Sequence, residues 1–584
     1  VTGVQTCALP ISFAVSAAMV AGACGGGASI VGSYKPGEGA SGGTLLVGDY
    51  QDVDSLHPFY YSTVMSANVL ATAWDGLVSL SNEAKYVPWM ATSIPDTKNG
   101  GIKVPGVDGD AMTVTWTLRD GLVWSDGQPI TCADAAYTHD WILLPNNPVN
   151  TTGTKEISKV ECPNDTTIVL HYSELYSGVY GGVSIMPKHY FEKFTVGDGN
   201  AATDMVMGAG FRPEDLPNVP VSGAFKFGSR TEGVETVMVR NDKWKNPITG
   251  TPTRLDSLKY VVCGDPDTCI AKFRNGELDI VTDLTGNDYA TTKDLGTQQH
   301  TQATFTYEFF RPNHSATDCS IFELVKSVRG PGCPMSDPAM RKALAQATDK
   351  QGIWERILGE AGVVATSSVT PSAWFFAKQN PPAFDLAAAK KTLTDAGWVD
   401  SNGDGVVEKD GTSAILEFCT TMKPVRKSTI AYVAGDLAKI GIRAVYNGGG
   451  TIFAPWTEST EDLSCNLSRG NFDVALHAYS SGIEAVSLYS VYFSKQVEPD
   501  GQNDAKVNIP ALDTELEVIK GTIDLDKIAA AAANVQKIMA DQNVEIPLYY
   551  WMGIELVSDK VVGFLQNPTS AGPLWNAGDL SLKN

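Results

Sequence analysis

The stretch AILEFCTTMKPVRKSTIAYVAGDLAKIGIRAVYN, residues 414–447, decides the fold class of this chain. Its first part, AILEFCTTM, is a short apolar run that is typical of a buried strand. The segment KSTIAYVAGDLAKIG is predicted to be a helix, and RAVYN a second strand. A strand, a helix and a strand in this order predict a β-α-β unit.

The same alternation continues on both sides of this unit. Residues 256–284, DSLKYVVCGDPDTCIAKFRNGELDIVTDL, are predicted to form a strand, a capped helix and a strand. Residues 111–131, AMTVTWTLRDGLVWSDGQPIT, alternate apolar and polar residues around Asp-Gly turns at Asp120–Gly121 and Asp126–Gly127. Such turns are typical of hairpins. The predicted class is therefore α/β, with antiparallel hairpins inserted early in the chain.

The composition indicates a large globular body and argues against one class of partner. The chain has 584 residues, 43% hydrophobic and 19% charged, which suits two or three domains of ~100–200 residues. The net charge of −22 argues against binding nucleic acid or anionic lipid headgroups through charge. No run of ~20 apolar residues follows Gly25, so no downstream segment is predicted to span a membrane.

The N-terminal segment is predicted to export and anchor the protein. Residues 11–23 form an apolar run with the length of a signal-peptide core. Three small residues then precede Cys24, as in a bacterial lipobox, although alanine replaces the usual leucine and no basic residue precedes Lys35. We therefore expect a signal peptide over 1–24, acylation of Cys24 and a flexible tether over 25–43. The alternative is a plain signal peptide, with Cys24 an incidental buried thiol.

The remaining cysteines predict disulfides. Of the ten cysteines, eight follow Cys7 and Cys24, and an even number behind an export signal is typical of disulfide bonding. Zinc and buried reduced thiols are the competing interpretations, but no CxxC pair occurs and the spacings do not suit a closed tetrahedral zinc centre. Pairing of sequence neighbours predicts Cys132–Cys162, Cys263–Cys269, Cys319–Cys333 and Cys419–Cys465.

The sequence carries no recognisable catalytic motif, so we expect a protein that is not an enzyme. It has no GxSxG, HExxH, P-loop or GxGxxG after a strand, and its seven histidines include no pair at metal-ligand spacing. No cofactor is expected.

One motif, DSNGDGVVEKDG at residues 400–411, resembles the front of a calcium loop. It offers oxygen ligands at Asp400, Asn402, Asp404 and Glu408. Gly411 occupies the position where such a loop needs a glutamate. A plain Asn/Asp/Gly turn is the alternative.

A series of landmarks resembles one protein family from Gly43 to the C-terminus. In chain order these are WDGLV (74–78), LRDGLVWSDGQPIT (118–131), SGAFKF (222–227), RNDKW (240–244), NGELDI (275–280), DPAMRKALAQATDK (337–350), FDLAAAKKTLTDAGW (384–398), NFDVALHAY (471–479) and EIPLYYW (545–551). Together they are similar to the extracytoplasmic solute-binding proteins of family 5, the dipeptide- and oligopeptide-type receptors of ABC importers.

The resemblance implies a two-lobed clamshell of the type II periplasmic-binding-protein architecture, with an extra β-rich subdomain. By this likeness lobe I is discontinuous and comprises residues 44–74, 220–300 and 541–584. The inserted subdomain covers 75–219, and lobe II covers 301–540.

The resemblance also implies a function. The lobes would close by hinge motion on a peptide or similar small solute outside the membrane, and the ABC permease and its ATPase would receive it. The protein would act as a monomer held to the membrane by its lipid alone. The alternatives are an oligosaccharide or another non-peptide solute, a sensory lipoprotein and, least favoured, a secreted hydrolase.

Aromatic and polar residues on loops facing the expected cleft are the candidate ligand contacts. They are Trp374, Phe375, Tyr479, Ser480, Ser481, Glu484 and Tyr489 from lobe II, and Tyr60 and Tyr61 from lobe I. Peptide-binding members of the family usually have an aspartate after the FDVAL strand, which holds the α-ammonium group of the peptide. This chain has Ser480–Ser481–Gly482 there, and Glu484 is the nearest acid. For each candidate, core packing is the alternative role.

Overall fold

The structure of the chain is a computed structural model. It describes residues 32, 41–61, 63–107, 109–144, 147, 149, 151, 153–181, 185–194, 211–284, 286–421, 423–447, 452–453, 461–497 and 501–583. The predicted signal peptide over 1–24, with Cys24, lies outside the described residues, as does most of the predicted tether over 25–43.

An eleven-stranded mixed sheet forms the frame of the molecule. In spatial order its strands are Arg443–Asn447, Ile415–Thr420, Val474–Ser480, Gln299–Pro312, Ile546–Val557, Ile280–Leu284, Thr44–Asp49, Ser257–Val262, Glu235–Arg240 and Phe225–Thr231, with Val363–Val364 paired to Ile546–Val557.

Two long antiparallel neighbours, Gln299–Pro312 and Ile546–Val557, run between the two ends of this sheet, and we call them the crossing strands. The C-terminal end of Ile546–Val557 pairs with Ile280–Leu284. We call the strands from Ile280–Leu284 to Phe225–Thr231 the first half-sheet. The C-terminal part of Gln299–Pro312 pairs with Val474–Ser480, and we call Val474–Ser480, Ile415–Thr420 and Arg443–Asn447 the second half-sheet. The ladder between the crossing strands shifts register between Ala303 and Tyr307.

Both half-sheets have a parallel centre. Ile415–Thr420 pairs in parallel with Arg443–Asn447, and the helix Pro424–Lys439 connects them, so the β-α-β unit predicted at 414–447 is confirmed. In the first half-sheet, Thr44–Asp49 lies parallel to Ser257–Val262 and to Ile280–Leu284.

The α-helices of the described residues begin with the expected signals. Several have proline in the first turn, where no intrahelical N–H partner is needed, and several have a capping aspartate, as at Asp265, Asp385 and Asp524. The helices are Val64–Ala73, Cys132–Ile142, Lys188–Phe191, Pro266–Arg274, Gly286–Thr292, Glu323–Arg329, Pro338–Gln346, Lys350–Arg356, Leu386–Asp395, Pro424–Lys439, Ser487–Tyr492, Pro510–Lys520 and Leu525–Asp541.

Residues 75–219, the predicted insert, carry their own small sheets. Ile102–Lys103, Met112–Thr117, Thr167–Tyr172 and Ile157–Asn164 form a four-stranded antiparallel sheet, and Val78–Leu80 pairs with Tyr86–Pro88. Two further pairs join Glu408–Lys409 to Thr412–Ser413 and Val561–Val562 to Ser581–Leu582.

The hairpin predicted at 111–131 forms at the Asp126–Gly127 turn, but the prediction is wrong for Met112–Thr117, which pairs with the distant strand Thr167–Tyr172. The short hairpin is closed by a bridge from Val123 to Pro129 and by backbone hydrogen bonds from the Trp124 N–H to Gln128 and from the Ile130 N–H to Leu122. The Trp124 side chain between these residues is fully buried. Burial of this ring therefore fixes the turn in place of a long hairpin ladder.

Three buried clusters form most of the core. The first unites the first half-sheet with the four-stranded sheet, through residues such as Leu45 and Trp116. The second packs helices on the second half-sheet. The third places Tyr86, from residues 75–219, among side chains of residues 301–540 such as Phe305 and Ile483.

Four disulfides link the eight downstream cysteines. They are Cys132–Cys162, Cys263–Cys269, Cys319–Cys333 and Cys419–Cys465, the pairs expected from sequence neighbours. Within the described part of the chain, none of the helices has both the length and the apolar composition that crossing a bilayer requires.

Candidate functional site

One pocket lies where the carboxyl ends of parallel strands from both half-sheets meet. Tyr50 follows Thr44–Asp49, Asp283 lies near the end of Ile280–Leu284, and Lys423 follows Ile415–Thr420. In open α/β sheets, ligands bind in the crevice outside these ends.

The pocket encloses about 860 Å³ of space, part of it open to solvent. Its walls are mostly apolar and aromatic, which suits a small organic ligand. The lining residues are Tyr50, Pro266, Asp283, Gly286, Leu358, Ala361, Gly362, Lys423, Pro424, Val425, Tyr549, Tyr550, Trp551 and Met552.

The backbone at Asp283 positions the acidic side of this pocket. Asp283 has a φ of 55°, a left-handed conformation that is uncommon for residues other than glycine. The ladder to the neighbouring crossing strand is irregular between Val281 and Leu284. Irregularities of this kind re-aim side chains beside functional sites.

Two carboxylates lie together on that side. Burial, followed by the charge of Asp49, raises the pKa of Asp283 to about 7, and the Tyr50 hydroxyl hydrogen-bonds to it. Asp49 accepts hydrogen bonds from Thr282 Oγ1 at 2.8 Å and from the Gln51 N–H at 2.9 Å. Burial raises the pKa of Asp49 to about 6.

The basic side consists of Lys423, which caps the helix Pro424–Lys439. Its Nζ lies 4.7 Å from the centre of the Trp551 ring, a cation–π contact. The neighbouring Arg426 is buried and already neutralised, because its Nε and Nη2 lie 2.5 and 3.1 Å from the carboxylate oxygens of Glu308. Trp551 Nε1 donates to the same carboxylate at 3.1 Å.

Glu484, the acid expected to hold an ammonium group, does not line this pocket. Its Oε1 accepts a hydrogen bond from the Tyr86 hydroxyl at 3.0 Å, and the backbone N–H of Tyr180 also binds it. Burial raises the pKa of Glu484 to about 7. The carboxyl group thus joins residues 75–219 to residues 301–540.

Trp374 and Ser481 lie beside Glu484. Trp374 Nε1 donates to the carbonyl of Ile483 at 2.8 Å. Ser481 donates to the carbonyl of Phe305 on the crossing strand, from its backbone N–H at 3.0 Å and its hydroxyl at 3.1 Å. The structure therefore brings Trp374, Ser481 and Glu484 together around segment 481–484.

The other candidates near this segment lie on the strand end or in the core. Tyr479 is paired with Tyr307 across the ladder, with the two ring centres 6.4 Å apart. Ser480 is exposed at the end of its strand, and Phe375 is buried in the third core cluster.

Three tyrosines lie elsewhere. Tyr489 stacks on Phe493 with ring centres 4.4 Å apart. Tyr60 packs against the first core cluster, and its hydroxyl donates to Asn147 Oδ1 at 2.8 Å. Tyr61 is 42% exposed. None of the three lines the pocket of Asp283 and Lys423.

Sequence reasoning missed Tyr50, Asp283, Lys423 and Trp551. A signal existed for Asp283 and Lys423, since the first lies at the end of a predicted strand and the second closely follows one. The rule that ligands bind beyond the carboxyl ends of parallel strands would have selected these two.

The predicted calcium loop at 400–411 uses several of its oxygens internally. Asp400 accepts hydrogen bonds from the N–H groups of Gly403 at 2.7 Å and Gly405 at 3.0 Å. Glu408 Oε1 accepts from the Ser401 N–H at 2.9 Å. These bonds describe a tight Asx-type turn, and calcium binding stays a prediction.

Comparison with known families identifies the chain. Residues 85–498 match the model of the bacterial extracellular solute-binding proteins, family 5, middle region. The chain belongs to this family. The predicted family is thereby confirmed, and the function is solute binding rather than catalysis, in an extracytoplasmic setting.

Individual relatives cover almost the whole chain. It is 24% identical over 582 residues to the oligopeptide-binding protein AppA of Bacillus subtilis (strain 168), with 97% of each chain covered. The solved structure of that protein in complex with a nonapeptide matches with a TM-score of 0.70 at 20% identity, over 94% of this chain and 100% of that one.

A second solved structure is NikZ from Campylobacter jejuni in complex with Ni(L-His). It matches with a TM-score of 0.70 at 19% identity, over 92% of this chain and 99% of that one. These likenesses confirm the predicted fold, a type II periplasmic-binding-protein clamshell with an extra domain.

Proposed function

We propose that this protein is the substrate-binding component of an ABC importer that captures a peptide or a similar small solute. The pocket between the half-sheets carries this proposal, because residues from the ends of strands in both half-sheets line it. The crossing strand Ile546–Val557 contributes four further lining residues, Tyr549–Met552. A ligand there would contact both halves of the molecule at once. That the relative AppA is an oligopeptide-binding protein favours a peptide.

In this proposal, lobe I is 44–74, 220–300 and 541–584, the insert is 75–219, and lobe II is 301–540. The shifted register of the crossing strands between Ala303 and Tyr307 is the hinge. Contacts between the insert and lobe II hold the lobes closed: Tyr86 to Glu484, and Lys520 Nζ to Glu174 Oε1 at 3.0 Å.

The proposed setting is the outer face of the cell membrane. Acylated Cys24 anchors the protein, the segment 25–43 is its tether, and the monomer delivers its ligand to the permease and ATPase subunits of the importer. The negative net charge of −22 supports an anchor that does not depend on charge attraction to anionic lipid.

Native mass spectrometry of the purified protein, followed by a thermal-shift screen, tests the function. Pooled short peptides, oligosaccharides and amines are the probes, because a ligand specific to the folded state raises the melting temperature. We expect peptide hits with one ligand per chain. Sugar hits without peptide hits would overturn the peptide class, and the absence of any bound solute in both experiments would overturn the importer role.

A further inference from the structure

A second cavity lies apart from the pocket between the half-sheets and shares no lining residue with it. Its walls come from the helices Pro338–Gln346 and Leu525–Asp541, from the segment 366–368 and from the start of the crossing strand Ile546–Val557. It encloses about 340 Å³ of space, part of it open to solvent, which is the size of a site for a small molecule. We call it the lysine cavity, after Lys350 in its wall.

Lys350 brings a positive charge to this cavity without a counter-ion from the described part of the chain. Its Nζ has neither an ion pair nor a hydrogen bond there. The residue is only partly exposed, and burial lowers its pKa to about 8. Burying a charge costs free energy unless the charge is paired, so lysines in such surroundings normally have a partner. The cavity therefore offers a cation to an anion from solution.

Two acids close to Lys350 are already bound by other groups. Asp349, its neighbour in the chain, caps the helix that follows and accepts a hydrogen bond from the Tyr432 hydroxyl at 2.8 Å. Glu545 lines the lysine cavity, but its carboxylate is paired with Arg311 at 3.1 Å. Neither carboxylate is available to neutralise Lys350.

Asn543 adds a hydrogen-bonding group to the same wall. It is 6% exposed and lines the lysine cavity, yet its side-chain amide has no hydrogen-bond partner within the residues that the structure describes. A buried amide without a partner is costly. The NH₂ group of Asn543 is thus a second donor, besides the ammonium group of Lys350, for an anion in the cavity.

The remaining walls indicate which anion fits. Alanine and proline side chains, including Ala345, Ala540 and Pro381, line much of the cavity and suit an aliphatic group. One cation, with the carboxylate of Glu545 in the same wall, favours an anion of single charge.

We propose that the lysine cavity is a second binding site, which takes a short aliphatic monocarboxylate and holds its carboxylate group at Lys350 and Asn543. This site is separate from the pocket of the proposed function and does not depend on which solute that pocket captures.

Isothermal titration calorimetry of the purified protein tests the site with three probes in a chloride-free buffer: butyrate, its uncharged isostere butyramide, and chloride. We expect one butyrate per chain, bound at least tenfold more tightly than butyramide, because only the anion forms charged hydrogen bonds. Chloride should also bind at least tenfold more weakly than butyrate, since it buries no apolar surface against the walls.

Two variants locate the binding. Lys350→Met removes the ammonium group and keeps an unbranched side chain, so it should weaken butyrate at least tenfold and leave butyramide unchanged. Asn543→Asp puts a carboxylate in the cavity that repels butyrate and should weaken it at least as much. Asn543 has a φ of 47°, which aspartate tolerates. Circular dichroism checks folding, and if one variant fails to fold, the other decides.

Lys342→Met is the matched control, at an exposed lysine on the helix Pro338–Gln346 that also lines the cavity. It should change no affinity. Lys423→Gln, in the pocket between the half-sheets, should also leave butyrate binding unchanged.

Equal affinities for butyrate and butyramide, an unchanged affinity for butyrate in Lys350→Met, or no detectable binding of butyrate to the parent would overturn the second site. Loss of butyrate binding in Lys423→Gln would overturn it too, because the anion would then lie in the other pocket. Equal affinities for chloride and butyrate would overturn the carboxylate class. Each of these results leaves the proposed function intact, since solute capture is measured with other probes.

Discussion

Arg311, on one crossing strand, and Glu545, directly before the other, form a buried ion pair with Arg311 Nη1 3.1 Å from Glu545 Oε2. The hydroxyls of Tyr307 and Tyr492 donate to the same carboxylate at 2.8 and 2.9 Å. This network joins one crossing strand to the residue that directly precedes the other, at the end of the pair beside the second half-sheet.

Arg311→Met should destabilise the protein strongly. Arg311 Nε also lies 2.5 Å from Oδ1 of the part-buried Asp504. The substitution would leave the buried Glu545 and Asp504 without their cation, and removing one partner of a buried pair costs about 3–5 kcal/mol of unfolding free energy. Urea denaturation measures the loss. The control is Arg274→Met, which breaks the surface pair with Asp294 and should cost less than about 1 kcal/mol. Similar losses for the two variants would contradict the role of the network.

All eight downstream cysteines should be oxidised, so alkylation of the unfolded protein without reductant should label none of them.

The disulfides should also differ in how much each contributes to the free energy of unfolding. Cys419–Cys465 closes a separation of 46 residues and Cys263–Cys269 one of 6, so removing the longer link should cost about 2 kcal/mol more by chain entropy. Double serine variants and urea denaturation compare them. An equal loss of unfolding free energy for the two variants would contradict the explanation by chain entropy.

Glu484→Gln should change the dependence of stability on pH. The pKa of Glu484 is raised from 4.5 to about 7, so the folded protein holds a proton that the unfolded chain releases. The associated stability is present below about pH 4.5 and is lost as the pH rises to about 7. Glutamine keeps an acceptor for Tyr86 without the charge.

The variant should therefore match the parent at pH 4.5 and exceed its unfolding free energy at pH 8 by about 1–3 kcal/mol. Thermal or urea unfolding across this range gives the difference, with Glu277→Gln as the surface control. If the difference in unfolding free energy were the same at every pH, Glu484 would not be the source of the pH dependence.

Trp551 should report ligand binding by fluorescence, because its ring lines the pocket beside Lys423. A bound ligand changes the surroundings of the indole, so Trp551→Phe should remove much of the ligand-induced change in emission. Trp398→Phe is the control, since Trp398 is buried and bonded to Asp337 away from the pocket. If Trp398→Phe removed the fluorescence change and Trp551→Phe kept it, the ligand would not bind in the proposed pocket.

Cys24→Ser should release the protein from the membrane of its native host into the surrounding medium or periplasm. The reason is that acyl chains on the cysteine are the predicted anchor. Fractionation followed by immunoblotting measures the distribution. Equal membrane retention of parent and variant would show that another segment holds the protein.

The local patterns of the sequence predicted much of the fold. The β-α-β unit at 414–447 could be predicted because its strands and helix follow one another directly and each strand is a continuous apolar run. The pairing of Met112–Thr117 was wrongly predicted, since this strand pairs with the distant strand Thr167–Tyr172 and not with the hairpin that follows it. Pairing between strands that are far apart in the sequence cannot be predicted from a short stretch of residues.

The candidate site was harder to predict than the fold. Trp374, Ser481 and Glu484 were expected to line one cleft and do lie together, because Ser481 and Glu484 follow one strand and the Trp374 indole donates to the carbonyl of Ile483 between them. Asp283 and Lys423 were missed, because only the order of strands in the large sheet brings these distant parts of the chain to one pocket.

The pairing of the crossing strands has a consequence for protein engineering. Phe310 lies opposite Ile546 in the ladder, so the chain between them leaves and returns at adjacent points. A segment with neighbouring ends can be exchanged as a cassette with little disturbance of its host. Grafting the corresponding segment of a relative between these two positions would transplant one wall of the pocket and leave the other, with Asp283, in place.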